Sequence, residues 1–189
     1  MSGRPLSLAV YALATGLVEP FAAGLLKGRV RRGKEDAARL NQRLGRPTLP
    51  RPDGRLVWIH GASVGESLSH LPLVERFRAE RPDVTVLVTS GTRTSAELLA
   101  CRLPDGVIHQ YAPVDAPAAA RRFLAHWRPD LAIFVESELW PNLLFAAHRQ
   151  GTRLALLGAR LADASMKAWD RLPGAAAGVQ VIALDLEGI

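Results

Sequence analysis

Short apolar runs rich in β-branched residues recur along most of this chain, at Leu56–His60, Val84–Thr89, Val107–Tyr111, Leu131–Val135, Leu154–Leu157 and Val179–Leu184. Their length and composition read as strands. Helical stretches at about residues 65–80, 92–102, 116–126, 140–150 and 162–172 fill the intervals. Strict alternation of strand and helix predicts an α/β, Rossmann-like fold: a parallel sheet with helices on both faces. Arg81-Pro82-Asp83 and Arg128-Pro129-Asp130 mark two helix ends, because a residue before proline disfavours helical backbone.

The periodic region begins at Arg55, after the proline-rich stretch Arg46–Gly54. Three segments are expected: an apolar membrane-anchor helix at 1–30, a basic helix with a proline-rich hinge at 31–54, and the Rossmann-like domain at 55–189. From Pro5 to Leu26 the only ionisable side chains are Tyr11 and Glu19. Glu19-Pro20 cuts this apolar run into pieces shorter than the roughly 18–20 residues of a clean spanning helix, so crossing the bilayer and lying on it both stay open. The basic cluster follows the apolar run instead of preceding it, which is the order of an anchor and not of a cleaved signal. The positive-inside rule then places the remainder on the cytoplasmic face.

Charge supports a membrane partner. Residues 27–55 carry Lys27, Arg29, Arg31, Arg32, Lys34, Arg39, Arg43, Arg46, Arg51 and Arg55 against Glu35, Asp36 and Asp53, which exceeds the net +6 of the whole chain. A basic block beside an apolar one fits anionic lipid. The aromatic-interleaved basic stripe of a nucleic-acid binder is missing, so nucleic acid is not an expected partner. The lone Cys101 excludes an internal disulfide framework, and His60, His70, His109, His126 and His148 have no metal-ligand spacing. No metal and no cofactor are expected.

Ligands of such sheets bind at the carboxyl ends of the strands. Three loops there carry chemistry. In His60-Gly-Ala-Ser-Val-Gly-Glu66, glycines at 61 and 65 permit a tight turn and leave amides free at a helix start. The loop lacks the Gly-Lys-Ser/Thr ending of a Walker loop and the full dinucleotide fingerprint. Glu66 can serve the helix dipole or act on a substrate proton, and Ser63 reads as an N-cap before a nucleophile. The hydroxyl-rich Thr89–Ser95 loop, with Thr92 and Arg93, suits a sugar or phosphate, or equally a capped helix start. In the third loop Glu136 and Glu138 flank Ser137 directly after an apolar strand. Helix capping and acid-base work on a hydroxylated substrate both explain them.

Together these stretches resemble the bacterial 3-deoxy-D-manno-octulosonic acid (Kdo) transferase family, also called lipid A Kdo transferases. The matching segments are Trp58-Ile-His-Gly-Ala-Ser-Val-Gly-Glu66, His109-Gln-Tyr-Ala-Pro-Val-Asp115, Arg121 to Asp130, Glu136-Ser-Glu-Leu-Trp-Pro-Asn142 and Ala159-Arg-Leu161, in the family's order. The chain departs from the family's usual wording at Gly91, Arg93, Ser137 and Gly158. The resemblance implies the N-terminal, acceptor-binding domain of a GT-B glycosyltransferase, with the donor-binding domain absent from this chain.

It further implies that Glu66 is the proton acceptor and Glu136 a transition-state stabiliser. Acceptor contacts would come from Ser63, Gly65, Thr92, Arg93, Glu138 and Arg160. The implied donor is CMP-Kdo, the implied acceptor a lipid A precursor, and the implied place the cytoplasmic face of the bacterial inner membrane. Two further readings compete with an inverting transferase: a membrane-bound acceptor-binding module without catalysis, and an unrelated nucleotide binder using the Gly61–Glu66 loop. A GT-B reaction takes place between two domains, so this chain alone is expected to be inactive.

Overall fold

A computed structural model describes residues 6–135 and 140–157. Five strands form one sheet: β1 (Leu56–Gly61), β2 (Thr85–Ser90), β3 (Ile108–Tyr111), β4 (Leu131–Val135) and β5 (Arg153–Leu157). All neighbours run parallel in the order β3-β2-β1-β4-β5, with Trp58 opposite Leu87 on one side and Ala132 on the other. The five strands agree with those read from sequence to within a residue. The strand expected at Val179–Leu184 and the helix at 162–172 lie outside the described residues.

Side-chain alternation along each strand divides the core in two. Leu56 and Trp58, Leu87, Ala132 and Phe134, and Leu154 and Leu156 face α7 (Pro117–Trp127) and α8 (Pro141–Arg149). Val57 and Ile59, Val86 and Val88, Ile133 and Val135, and Ala155 face α5 (Leu71–Glu80) and α6 (Arg93–Arg102). Every central strand is therefore covered on both sides, which explains its near-continuous apolar sequence. Trp58 fills the first layer against Phe123 and Phe134, with ring centroids 4.9 and 5.0 Å away. Its indole N–H, an orphan donor if left alone, reaches Thr89 Oγ1 at 2.8 Å.

The helix expected at 65–80 is two helices, α4 (Val64–Ser69) and α5, with His70 between them. Pro72 is the cause: it has no N–H for the carbonyl four residues back and starts a new helix in its first turn. After α7, Arg128 takes left-handed backbone (φ 43°) ahead of Pro129. Asp130 then ties the incoming strand to β1 by accepting from the Leu56 N–H at 2.8 Å.

The Glu19-Pro20 step interrupts the α-helix as expected, but it does not separate the two pieces. Helix α1 (Leu6–Val18), a single 3-10 turn at Glu19–Phe21 and α2 (Ala22–Arg31) follow one another without a gap. Pro20 sits at the start of the 3-10 turn, where a missing N–H costs little. Beyond α2 the chain packs on the domain. The Gln42 side chain in α3 (Leu40–Arg43) accepts from the Tyr111 N–H at 2.9 Å, and Arg43 donates to the Ala112 carbonyl. Buried Glu35 holds Arg29 at 2.8 Å and Arg43 at 3.4 Å.

Candidate active site

The parallel sheet brings the β1–α4 and β2–α6 loops side by side at its carboxyl end. Their backbones touch: the Gly91 N–H donates to the Ala62 carbonyl at 3.1 Å, and a Cβ on Gly91 would stand 2.9 Å from that oxygen. Glycine at 91 is thus required by packing. Gly61 has a similar reason, since a Cβ there would meet His70 at 2.9 Å and the Glu66 backbone at 3.1 Å. Gly65 is exposed, with only Ser63 Oγ at 4.0 Å, so the space above it is open.

Glu66 is buried, in the first turn of α4, and both its oxygens are engaged. Oε2 accepts from the Ala62 N–H at 2.6 Å, and Oε1 accepts from the Ser63 hydroxyl at 2.9 Å. Ser63 in return caps the helix, its Oγ accepting from the Glu66 N–H at 3.3 Å. This is a capping box in which the carboxylate reaches one residue further back than usual. Each carboxylate oxygen keeps a second lone pair. The carboxylate is therefore a fixed acceptor, held by two donors at the mouth of β1. Two donors that a phosphate would need are taken by the protein itself, which weakens the nucleotide reading of this loop.

Thr92 is the N-cap of α6, accepting from the Ser95 N–H at 3.1 Å, and is exposed. Arg93 beside it pairs with Glu97 at 2.7 Å on the helix surface. A cleft of about 420 Å³ opens between α6 and the leader, and Arg93, Glu97, Arg39, Asp36 and Tyr111 line it. The structure thus brings Ser63, Gly65, Glu66, Thr92 and Arg93 to one end of the sheet. Glu136, Glu138 and Arg160 lie outside the described residues.

The histidines near this end are neutral scaffolding. His60 Nδ1 meets Thr89 Oγ1 at 2.9 Å, and its ring stands edge-on to Phe134 and Trp140. Burial holds its pKa down at about 3, and that of His70 at about 4. His109 is held at about 3 by burial and then by the Arg39 guanidinium. Because arginine can only donate, the contact of Arg39 Nη2 with His109 Nδ1 (3.1 Å) makes Nδ1 the acceptor. His109 Nε2–H then donates to Ser90 Oγ at 3.0 Å.

One residue that the sequence offers only as the end of a family-like segment organises the start of α8. Asp115 precedes α7 and resembles a cap for it, yet its carboxylate serves α8. Oδ1 accepts from the Leu143 N–H at 2.9 Å and Oδ2 from the Asn142 N–H at 3.2 Å. Asn142 Nδ2 returns a bond to the Asp115 carbonyl at 2.8 Å. The only signal was an acid two residues before a helix-starting proline, and it points to the wrong helix.

A family model described as 3-deoxy-D-manno-octulosonic-acid transferase (kdotransferase) matches residues 38–182. The chain belongs to the Kdo transferase family. Among its curated relatives, a probable mitochondrial 3-deoxy-D-manno-octulosonic acid transferase of Arabidopsis thaliana is 40% identical over 160 residues, 85% of this chain and 36% of the relative. The 3-deoxy-D-manno-octulosonic acid transferase of Rickettsia bellii is 38% identical over 165 residues, 87% of this chain and 39% of the relative. That of Haemophilus influenzae is 32% identical over 149 residues, 79% of this chain and 34% of the relative. The chain thus spans between 34% and 39% of the length of these Kdo transferases. The Ser63–Glu66 box and the Thr92–Arg93 turn both fall inside the family match.

Proposed function

We propose that this chain is the acceptor-binding half of an inverting Kdo transferase, with CMP-Kdo as donor and a phosphorylated lipid A precursor as acceptor. The reading rests on the Glu66 carboxylate, fixed by the Ala62 N–H and the Ser63 hydroxyl at the carboxyl end of β1. In the reaction an acceptor sugar hydroxyl gives its proton to Glu66 while its oxygen bonds to the anomeric carbon of Kdo. The bond from that carbon to the phosphate oxygen of CMP breaks, and CMP leaves with the electron pair. Displacement from the opposite side inverts the configuration. Ser63, Gly65, Thr92, Arg93, Glu138 and Arg160 contact the acceptor, and Glu136 stabilises developing charge. The donor and its leaving group belong to a second domain, and the apolar leader associates with the cytoplasmic face of the inner membrane through anionic lipid.

Residues 1–182, up to the end of the family match, grafted in place of the matching region of the Haemophilus influenzae relative test this reading. The graft should transfer labelled Kdo from CMP-Kdo to a tetra-acylated lipid A precursor in detergent. Glu66→Gln should lower transfer roughly 10²- to 10⁴-fold, the range of general base catalysis. Glutamine keeps the loop intact, because its oxygen can accept from Ala62 while its amide donates to Ser63. A graft that binds CMP-Kdo normally and transfers equally well with and without the Glu66→Gln substitution would sink the proposal.

A further inference from the structure

The N-terminal rod formed by α1, the 3-10 turn and α2 carries two opposed stripes. Tyr11, Ala12, Thr15, Glu19, Ala22 and Leu26 recur at helical spacing on the side facing the domain. Tyr11 Oη donates to Asp115 Oδ2 at 3.0 Å, and Thr15 Oγ1 accepts from Asn142 Nδ2 at 2.9 Å. Glu19 accepts from Arg122 Nη2 at 3.1 Å and from the Ala118 N–H at 2.9 Å. Further along, Leu26 is buried. The other stripe is Leu6, Val10, Leu13, Leu17, Phe21 and Leu25, each between 58% and 81% exposed. The side against the domain mixes polar anchors with small or buried apolar residues, while a continuous apolar stripe faces outward where a soluble protein would place polar side chains.

We propose that this rod lies in the plane of an anionic bilayer surface, its outer stripe among the acyl chains, and does not cross the membrane. The inference rests on the membrane reading given above and decides the orientation that reading leaves open. Length and hydropathy would permit crossing, since the helical stretch Leu6–Arg31 has 26 residues and contains an 18-residue window of mean hydropathy 1.5. The domain forbids it. Polar attachments at residues 11, 15 and 19 and the buried Leu26 follow the rod for most of its length, so a crossing rod would carry the starts of α7 and α8 into hydrocarbon. Otherwise the bonds must break and leave Tyr11, Thr15 and Glu19 facing lipid, where an acid is expensive. In-plane binding satisfies both stripes at once.

Charge selects lipid over a second copy of the chain. Lys27, Arg31, Arg32 and Lys34 are exposed where the rod ends, and they would repel one another across a dimer while attracting anionic headgroups. The rod touches the starts of α7 and α8, which lie at the same end of the parallel sheet as the Glu66 loop. In-plane binding therefore holds the candidate site at headgroup level.

The test uses the full chain with Cys101→Ser, since Cys101 is exposed. Single cysteines replace Leu6, Leu13, Phe21 or Leu25 and carry an environment-sensitive fluorophore. Phosphatidylcholine vesicles with about one-third phosphatidylglycerol contain lipids brominated at graded depths. All four positions should be quenched most by the same shallow bromines, and the unlabelled chain should float with these vesicles at least tenfold more than with pure phosphatidylcholine. Replacing Leu13 and Leu17 together by glutamate should abolish flotation without changing thermal unfolding. A depth that rises and falls from position 6 to 25 would overturn the in-plane orientation and keep the membrane reading. Failure to float with either composition would overturn both, as would dimers in sedimentation that shield the outer stripe without vesicles.

Discussion

Ser63 and Glu66 satisfy each other: Ser63 Oγ accepts from the Glu66 N–H at 3.3 Å and its proton goes to Glu66 Oε1 at 2.9 Å. One hydroxyl thus starts a helix and aims a carboxylate. Ser63→Ala should cost about 1 kcal/mol, the usual worth of such a cap, and Ser63→Thr should restore most of it. Urea unfolding of the three chains checks this. In the grafted transferase, Ser63→Ala should lower transfer more than its stability loss explains, and an unchanged rate would separate the cap from the chemistry.

Gly45 and Ala119 are pressed together. Gly45 has φ +71° and a Cβ there would stand 2.0 Å from the Ala119 carbonyl oxygen. Gly45→Ala should therefore cost roughly 3 kcal/mol or more, from both crowding and backbone strain. Gly33 and Gly54 share the positive φ but have nothing within 4 Å, so their alanine variants should lose only about 1 kcal/mol. Thermal denaturation of all three ranks them, and equal losses would refute the packing explanation.

The buried histidines make stability depend on pH. His60 and His109 are held at about 3 and His70 at about 4, below the ordinary 6.5. A depressed folded-state pKa means that the unfolded chain binds protons first. Their contribution is fully present above pH 6.5 and drains as pH falls towards 4 and then 3. The slope should reach about 1.4 kcal/mol per pH unit for each imidazole. Urea midpoints at about pH 7.5, 6 and 5 should fall steadily, and His60→Asn should remove about one proton from that slope.

Asp115 joins three elements, since it caps α8 and receives the Tyr11 hydroxyl from α1. Asp115→Ala should cost about 1–3 kcal/mol, whereas Tyr11→Phe should cost less than about 1 kcal/mol. Amide exchange should show α1 and the first turn of α8 losing protection together in the first variant. Loss confined to α8 would mean that the leader is held without Asp115, by Thr15, Glu19 and its buried apolar residues.

Much of this arrangement is legible in the chain. Apolar runs two layers deep, punctuated by Arg-Pro-Asp at 81–83 and 128–130, specify five of the parallel strands to within a residue, because a strand buried on both faces must be apolar throughout. Ser63 and Thr92 are recognisable as caps for the same local reason: a hydroxyl three residues before its amide partner needs no distant help. The break at His70 was also written locally, in Pro72, beneath an otherwise continuous helical pattern.

What the sequence determined by itself was the kind and order of elements, and the basic and apolar character of the leader. Only tertiary structure decided which side of the leader faces the domain, which helix Asp115 caps, and why Gly61, Gly91 and Gly45 must lack side chains. Those outcomes depend on partners far apart in sequence, such as Tyr11 with Asp115, Asn142 with Thr15 and Gly45 with Ala119. Periodicity is a property of neighbours within a turn or a strand and fixes what each element is. Close packing across a fold brings together residues no local pattern couples, and there a hydroxyl, a carboxylate or a missing Cβ acquires its role.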